Sequence, residues 1–182
     1  NAGKIIRLNA TPDGMSLYRQ SGYEEQGRIC QSQGIARAVD MPMRGVGIAG
    51  RYVAPQVLEL DQQLTGLDRQ DILQTLIIAS AIAVATHPDG TLAGYALCRV
   101  FGKGRVIGPV VAPDVATAQA LIGFFLTRYA GQFLRIDTHA QHDLSAWLSA
   151  HGLAEVDPAV AMRRGVAGHS EGIFALASQA LG

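Results

Sequence analysis

Side chains able to do chemistry are sparse in this sequence. His139 and His142 stand three residues apart, His151 follows, and Asp137 and Asp143 lie beside them. Those ligand types and that spacing suit a metal site. His and Asp residues at helix ends more commonly serve as caps and dipole partners, and that role is expected here. Cys30 and Cys98 are 68 positions apart with no CxxC or His-rich spacing. Neither a disulfide scaffold nor a zinc site is therefore expected, and a reducing, cytoplasmic setting fits. Arg44-Gly45-Val46-Gly47-Ile48-Ala49-Gly50 contains both RxxGxA and GxGxxG, patterns of loops that follow a strand, open a helix and cradle phosphate. Its context argues against that role. Asp40-Met41-Pro42-Met43 is a poor strand and Pro55 stops a helix early, so a flexible connection is expected instead. Arg135, Arg163 and Arg164 could attract an anion, although a solvated strand end is the commoner meaning of such residues.

These residues must be positioned by a soluble α/β fold. The chain has 182 residues, 15 basic and 15 acidic side chains, 48% hydrophobic content and only 16% charged residues. Balanced charge lacks the basic excess that phosphate backbones attract, so nucleic acid is not an expected partner. The longest apolar run, residues 76–85, is much shorter than the roughly 18 residues of a membrane helix, and no membrane association is expected. No signal peptide is recognisable at the N-terminus.

Along the chain, residues 4–10 form an expected strand ended by Pro12, Asp13 and Gly14; a short helix (15–21) closes at Gly22, and a strand (23–33) follows. Residues 34–65 hold Pro42, Gly45, Gly47, Gly50 and Pro55 without a sustained period, as expected of a linker. Residues 67–79 then repeat at helical spacing, with Leu67, Leu73, Leu76 and Ile77 as the buried stripe and Asp68 at the start. Three strands in a meander (81–86, 91–100 and 105–112) precede a long helix (115–130) that places Val115, Ala118, Ile122, Phe125 and Tyr129 on one face. A strand (133–138), a helix (143–151), a strand (156–162) and a closing helix (170–181) complete the pattern.

The sequence repeats itself. Arg7-Leu8-Asn9-Ala10 recurs as Arg135-Ile136-Asp137-Thr138, and the short helix after each ends in Gly plus an apolar residue, Gly22-Tyr23 and Gly152-Leu153. The copies lie 128 to 130 residues apart, about one domain length.

The segment Leu8 to Tyr23, with Leu17, Tyr18, Gly22 and Tyr23, resembles the last strand and helix of the GNAT superfamily of N-acetyltransferases. Gly66-Leu67-Asp68-Arg69 with Leu73, Ile107-Gly108-Pro109-Val110-Val111-Ala112 and Met162-Arg163-Arg164-Gly165 are similar to the second, GNAT-like domain of two-domain bacterial members. The resemblance implies an α/β (α+β) fold: a mixed, largely antiparallel GNAT-like sheet flanked by helices, preceded by a partial GNAT β-α-β unit. It divides the chain into a remnant of a first GNAT domain (1–34), a linker (35–65) and a second GNAT-like domain (66–182). It further implies acetyl transfer from acetyl-CoA to an amine of a small molecule, with Tyr18 in the place of the acid that protonates the leaving thiolate. A phenol with a reference pKa of about 10 keeps its proton at neutral pH and can supply it. Simple packing beside Leu17 is the alternative for Tyr18.

Thr11 and Gly14 stand where the family has Asn and Ala, and are the expected cofactor-binding residues. The hydroxyl of Thr11 replaces an amide that helps hold the pantetheine arm. In the second copy Leu148 replaces Tyr18, and the turn Val111-Ala112-Pro113-Asp114-Val115-Ala116-Thr117 lacks the family's glycine-rich phosphate loop. Weak or absent acetyl-CoA binding is therefore expected of this chain. A fragment or degenerate form of the enzyme, a non-catalytic GNAT-like module for dimerisation, and a small-molecule binding module stand as the functional readings. The strand of residues 4–10 is expected to pair either within its own chain or across a homodimer.

Overall fold

The computed structural model describes residues 6–165 and 172–179. Among them, nine strands form one sheet in the order β1-β8-β2-β7-β9-β6-β5-β4-β3. The strands are β1 (Ile6–Ala10), β2 (Glu24–Ile35), β3 (Val46–Ala49), β4 (Ala81–Thr86), β5 (Leu92–Phe101), β6 (Gly104–Val111), β7 (Phe133–His139), β8 (Ala154–Arg164) and β9 (Ile173–Ala175). All pairings are antiparallel except β6 with β7. Helices α1 (Met15–Gln20), α2 (Ala54–Thr65), α3 (Gln70–Ala79), α4 (Val115–Arg128) and α5 (Ser145–Ala150) flank it.

Alternation along the strands sends apolar side chains to both faces. On one, Ile107, Leu134 and Ile136 meet Leu121, Ile122 and Phe125 of α4 and Leu148 of α5. On the other, Tyr95, Leu97 and Val111 meet Val57 of α2 and Leu73, Leu76 and Ile77 of α3. The result is a mixed, largely antiparallel sheet between two helical layers. Leu73, Leu76 and Ile77 form the expected stripe, and Leu67 is partly buried against it. Val115, expected inside, is 40% exposed.

Two expected elements are corrected. The stretch expected as a structureless linker carries β3 and α2. Pro55 sits in the first turn of α2, where its missing N–H has no intrahelical acceptor to lose. The stripe that α2 buries is Val57, Asp61 and Thr65, so two polar residues conceal the period. The expected closing helix is, where described, strand β9; Ser170 and the last residues of that helix lie outside the described residues. The apolar Ile173-Phe174-Ala175 run contributes to both cores, Ile173 to the one with α2 and Phe174 and Ala175 to the one with α4. Asp68 does not cap α3, whose N-cap position is Arg69 without a side-chain bond.

The internal repeat is realised as two interleaved β-α-β units, β1-α1-β2 and β7-α5-β8. Pairs Ile6↔Arg164 through Ala10↔Val160 map onto Leu134↔Gly34 through Thr138↔Cys30 when the first strand is advanced 128 residues and the second set back 130. The central pairs Arg28↔Val160 and Cys30↔Pro158 exchange in the same way, around Ile29↔Ala159. A local two-fold thus runs through the sheet. Along one edge β1 pairs with β8 of its own chain, which is the intrachain alternative for that edge.

A buried polar triad fixes the α2–α3 corner to the sheet. Asp61, 2% exposed, accepts the Tyr95 hydroxyl at 2.6 Å and takes Arg69 Nε and Nη2 at 2.9 and 2.7 Å. Burial holds the Tyr95 phenol well above its ordinary pKa, with Asp61 adding to the rise and Arg69 opposing it. Asp61→Ala leaves a buried guanidinium and a buried phenol without their acceptor, so unfolding free energy in urea should fall by about 3–5 kcal/mol; a loss under 1 kcal/mol would show that the triad carries no such weight. Because the folded state keeps the Tyr95 proton while the unfolded chain releases it near pH 10, stability should decline as pH rises above about 10. Tyr95→Phe should flatten that decline in urea titrations between pH 9.5 and 11, and an unchanged slope would remove Tyr95 as its source.

Candidate functional site

Strands β6 and β7 run parallel and pair at Arg105↔Leu134, Val106↔Arg135 and Ile107↔Ile136. Beyond Ile107 they part, and β9 enters the gap antiparallel to both, pairing Val110↔Ala175, Val111↔Ile173 and Thr138↔Ala175. Backbone groups on facing strand edges need partners when buried. β9 supplies them. Ala112 N donates to Gly172 O at 3.0 Å and Leu176 N to Asp137 O at 2.8 Å. Gly108, at φ 153°, lets the chain pass close, because a Cβ there would overlap the Leu176 carbonyl.

Charged side chains clamp the inserted segment. Arg99, 8% exposed, donates to Gly108 O at 2.8 Å and to Ala177 O at 2.7 Å. Asp137 is fully buried, receives Arg135 through Nε and Nη2 at 2.9 Å each, and accepts Gln179 N at 2.9 Å. His142 donates from Nε2 to Ile173 O at 3.0 Å and stacks on Phe174 at 4.1 Å between centroids. Asn9 Nδ2 donates to Gln179 O at 2.7 Å, tying the segment to β1. At the adjoining start of α4, Asp114 caps the helix by accepting Thr117 N at 2.7 Å. A carboxylate therefore occupies the place where a helix N-terminus would otherwise receive an anion.

Thr11, Gly14 and Tyr18 are brought together. β1 ends at Ala10, Thr11 leads into a single 3₁₀ turn (Pro12–Gly14), and α1 carries Tyr18. A methyl on Gly14 would lie 3.4 Å from Tyr18 Cε2 and 3.6 Å from Thr11 Oγ1. The Tyr18 ring is half-buried and meets Tyr23 edge-on at 5.7 Å. Tyr23 N bonds Tyr18 O just as Leu153 N bonds Leu148 O, so Tyr18 and Leu148 occupy equivalent turns. Leu148 is fully buried behind the filled gap. Tyr18 follows β1, whose outer edge is unpaired among the described residues.

The remaining sequence candidates are dispersed. Val46 to Ala49 of the glycine-rich stretch form edge strand β3 and not a phosphate loop. His139 and His142 meet ring edge to face at 6.2 Å, His151 Nδ1 donates to Trp147 O at 2.8 Å, and the described residues contain no metal-ligand group. Burial, then His142 and Arg7, push His139 down to about 4. Cys30 and Cys98 are both buried thiols, and burial pushes Cys98 up to about 12. No helix among the described residues is long and apolar enough to cross a membrane. Sequence reasoning missed Asp61 and Arg99, and took Asp137 only as a neighbour of the histidines. For Arg99 the signal was a charge within an otherwise apolar element, Leu97-Cys98-Arg99-Val100.

Comparison with known proteins places this arrangement. A family model described as an acetyltransferase (GNAT) domain matches residues 57–175. The uncharacterized N-acetyltransferase YitH of Bacillus subtilis is 30% identical over 186 aligned positions, covering 97% of this chain and 64% of that protein. A Pyrococcus horikoshii protein assigned as an acetyltransferase has a crystal structure that superposes with a TM-score of 0.76 at 20% identity, over 98% of this chain and 60% of that one. A GCN5-related N-acetyltransferase structure from Sphaerobacter thermophilus gives a TM-score of 0.58 at 16% identity, over 91% and 62%. The chain thus spans less than two thirds of the length of these relatives. With the family model matched over well over half of its residues, on a sheet whose parallel β6–β7 pair opens beside α4, the chain belongs to the acetyltransferase (GNAT) family.

Proposed function

We propose that the protein acts in N-acetyl transfer from acetyl-CoA to the amine of a small molecule, with Tyr18 as the proton donor, and that the β6–β7 gap is a filled, non-catalytic counterpart of the reacting site. The observation that supports this division is the local two-fold. It relates two β-α units of equal geometry, one carrying a tyrosine beside a strand edge unpaired among the described residues, the other a buried leucine beside a gap closed by β9.

The residues of the two units differ in what they can hold. In the β6–β7 gap, Ala112 N–H is already donated, Asp114 brings negative charge to the α4 terminus, and Ile173, Phe174 and Ala175 fill the space. These residues do not fit an extended, pyrophosphate-bearing cofactor. At the β1 end, the Thr11 hydroxyl is exposed and Gly14 leaves the Tyr18 ring in contact distance of the turn, so Thr11 and Gly14 would hold the cofactor arm beside the phenol. Acetyl-CoA supplies the activated acetyl group when bound. Tyr18 offers its phenolic proton from Oη to a departing sulfur. The outer edge of β1 also carries the proposed contact between two copies of the chain, since its backbone groups on that side can pair with an added strand.

Two measurements check this assignment. With acetyl-CoA added to the chain, amide exchange at Val110, Val111, Ala175 and Leu176 should stay as slow as without it, and calorimetry should find no site in the gap near the micromolar affinity that about −8 kcal/mol represents. Changed protection at those four amides would show that the gap does take the cofactor. In an assay of acetyl-CoA-dependent amine acetylation by the full protein, Tyr18→Phe should lower kcat by about 10²-fold with the KM for acetyl-CoA nearly unchanged. Equal kcat in the two proteins would take Tyr18 out of the mechanism.

A further inference from the structure

Arg7 of β1 stands directly opposite Arg163 of β8. Like charges in that position repel and lower stability unless something lies between them. Both side chains share the face on which Ala159 and Ile29 pack toward α2 and α3, since Ala159, Ala161 and Arg163 alternate along β8. Arg163 Nε is buried and has no hydrogen-bond partner among the described residues. Among the described residues its ion pair is with Glu24, which is 78% exposed and only reaches 4.0 Å from Nη2. The charge of Arg69 is felt at Arg7, and Arg7 in turn helps keep the His139 imidazole neutral. Asp61 already neutralises Arg69.

The two-fold makes the imbalance plain. Arg135 is the equivalent of Arg7, and its charge is matched by two bonds to Asp137. The residue equivalent to Asp137 is Asn9, whose amide bonds the Gln179 carbonyl and brings no negative charge. A cation that is paired in one unit thus has no such partner among the described residues in the other. The guanidinium forks of Arg7 and Arg163 are suited to a planar or tetrahedral oxyanion, which can take two parallel bonds from one fork.

We infer that the sheet face over Arg7 and Arg163 is a binding site for a small molecule carrying a carboxylate or phosphate group. Strand side chains build this site, whereas a GNAT pyrophosphate cradle is made of backbone N–H groups at a helix start. It stands apart from the acetyl-transfer proposal, because its evidence and its test concern binding alone.

The test is calorimetric titration of inorganic phosphate and of succinate, at constant ionic strength, into the chain and into R163Q, R7Q, R163K and R164Q. Arg164 is the control: it stacks over Tyr23 at 5.2 Å and donates to Ser21 O, and its position in β8 points it to the other face. One of the two oxyanions should bind saturably at about millimolar affinity or better, and which one binds identifies the group recognised. R163Q and R7Q should each weaken it about tenfold, R163K should also weaken it because the fork is lost, and R164Q should leave it unchanged. Should R163Q fail to fold, R7Q and R163K carry the same test. Absence of saturable binding of either ion, or equal weakening by R164Q, would overturn the assignment.

Discussion

The parting of the parallel strands β6 and β7 is the constraint to which the other parts of the second half respond. Parallel strands that diverge inside a protein expose N–H and C=O groups along both inner edges, and helical layers on either side keep water from satisfying them. Each such group left alone is worth about 1–3 kcal/mol of lost stability. β9 is short, yet it answers both edges at once, and its side chains close the cores above and below. Gly108 is the residue that permits the approach, since any Cβ there would strike the Leu176 carbonyl.

Charge does the rest of the fastening. Arg99 and Asp137 are buried, and burial of an ion is tolerated only with good partners. Arg99 finds two carbonyls, one on β6 and one on the inserted segment; Asp137 finds a guanidinium and a backbone N–H. Both ions would lose partners if the segment withdrew, so the closure of the gap and the burial of these charges stabilise one another. A similar arrangement recurs at Asp61, where one carboxylate of α2 serves Arg69 at the start of α3 and Tyr95 of strand β5.

The interleaving of the two β-α-β units explains how one topology can hold two chemistries. Their backbones are matched pair by pair across the central β2–β8 ladder, so differences reside in side chains at equivalent positions. Tyr18 against Leu148 exchanges a phenol for apolar packing, and Asn9 against Asp137 leaves Arg7, among the described residues, without the counter-charge that Arg135 enjoys.

Much of this was legible in the residues themselves. The meander of β4, β5 and β6, the long helix α4, and the Arg-Leu-Asn-Ala and Arg-Ile-Asp-Thr repeat all show local periodicity or similarity, because near-neighbour propensity dictates them. Tyr18, Thr11 and Gly14 sit within one short turn, so their meeting follows from adjacency. Hidden were α2, whose buried face contains Asp61 and Thr65, and β9, whose three residues have no period of their own. Sequence determined which segments could be strands and helices and which turn could carry a proton donor. Only the tertiary structure decided that residues 173–175 close the β6–β7 gap and that Arg7 faces Arg163, since both depend on pairing between strands far apart in the chain, where long-range backbone bonding and burial outweigh local preference.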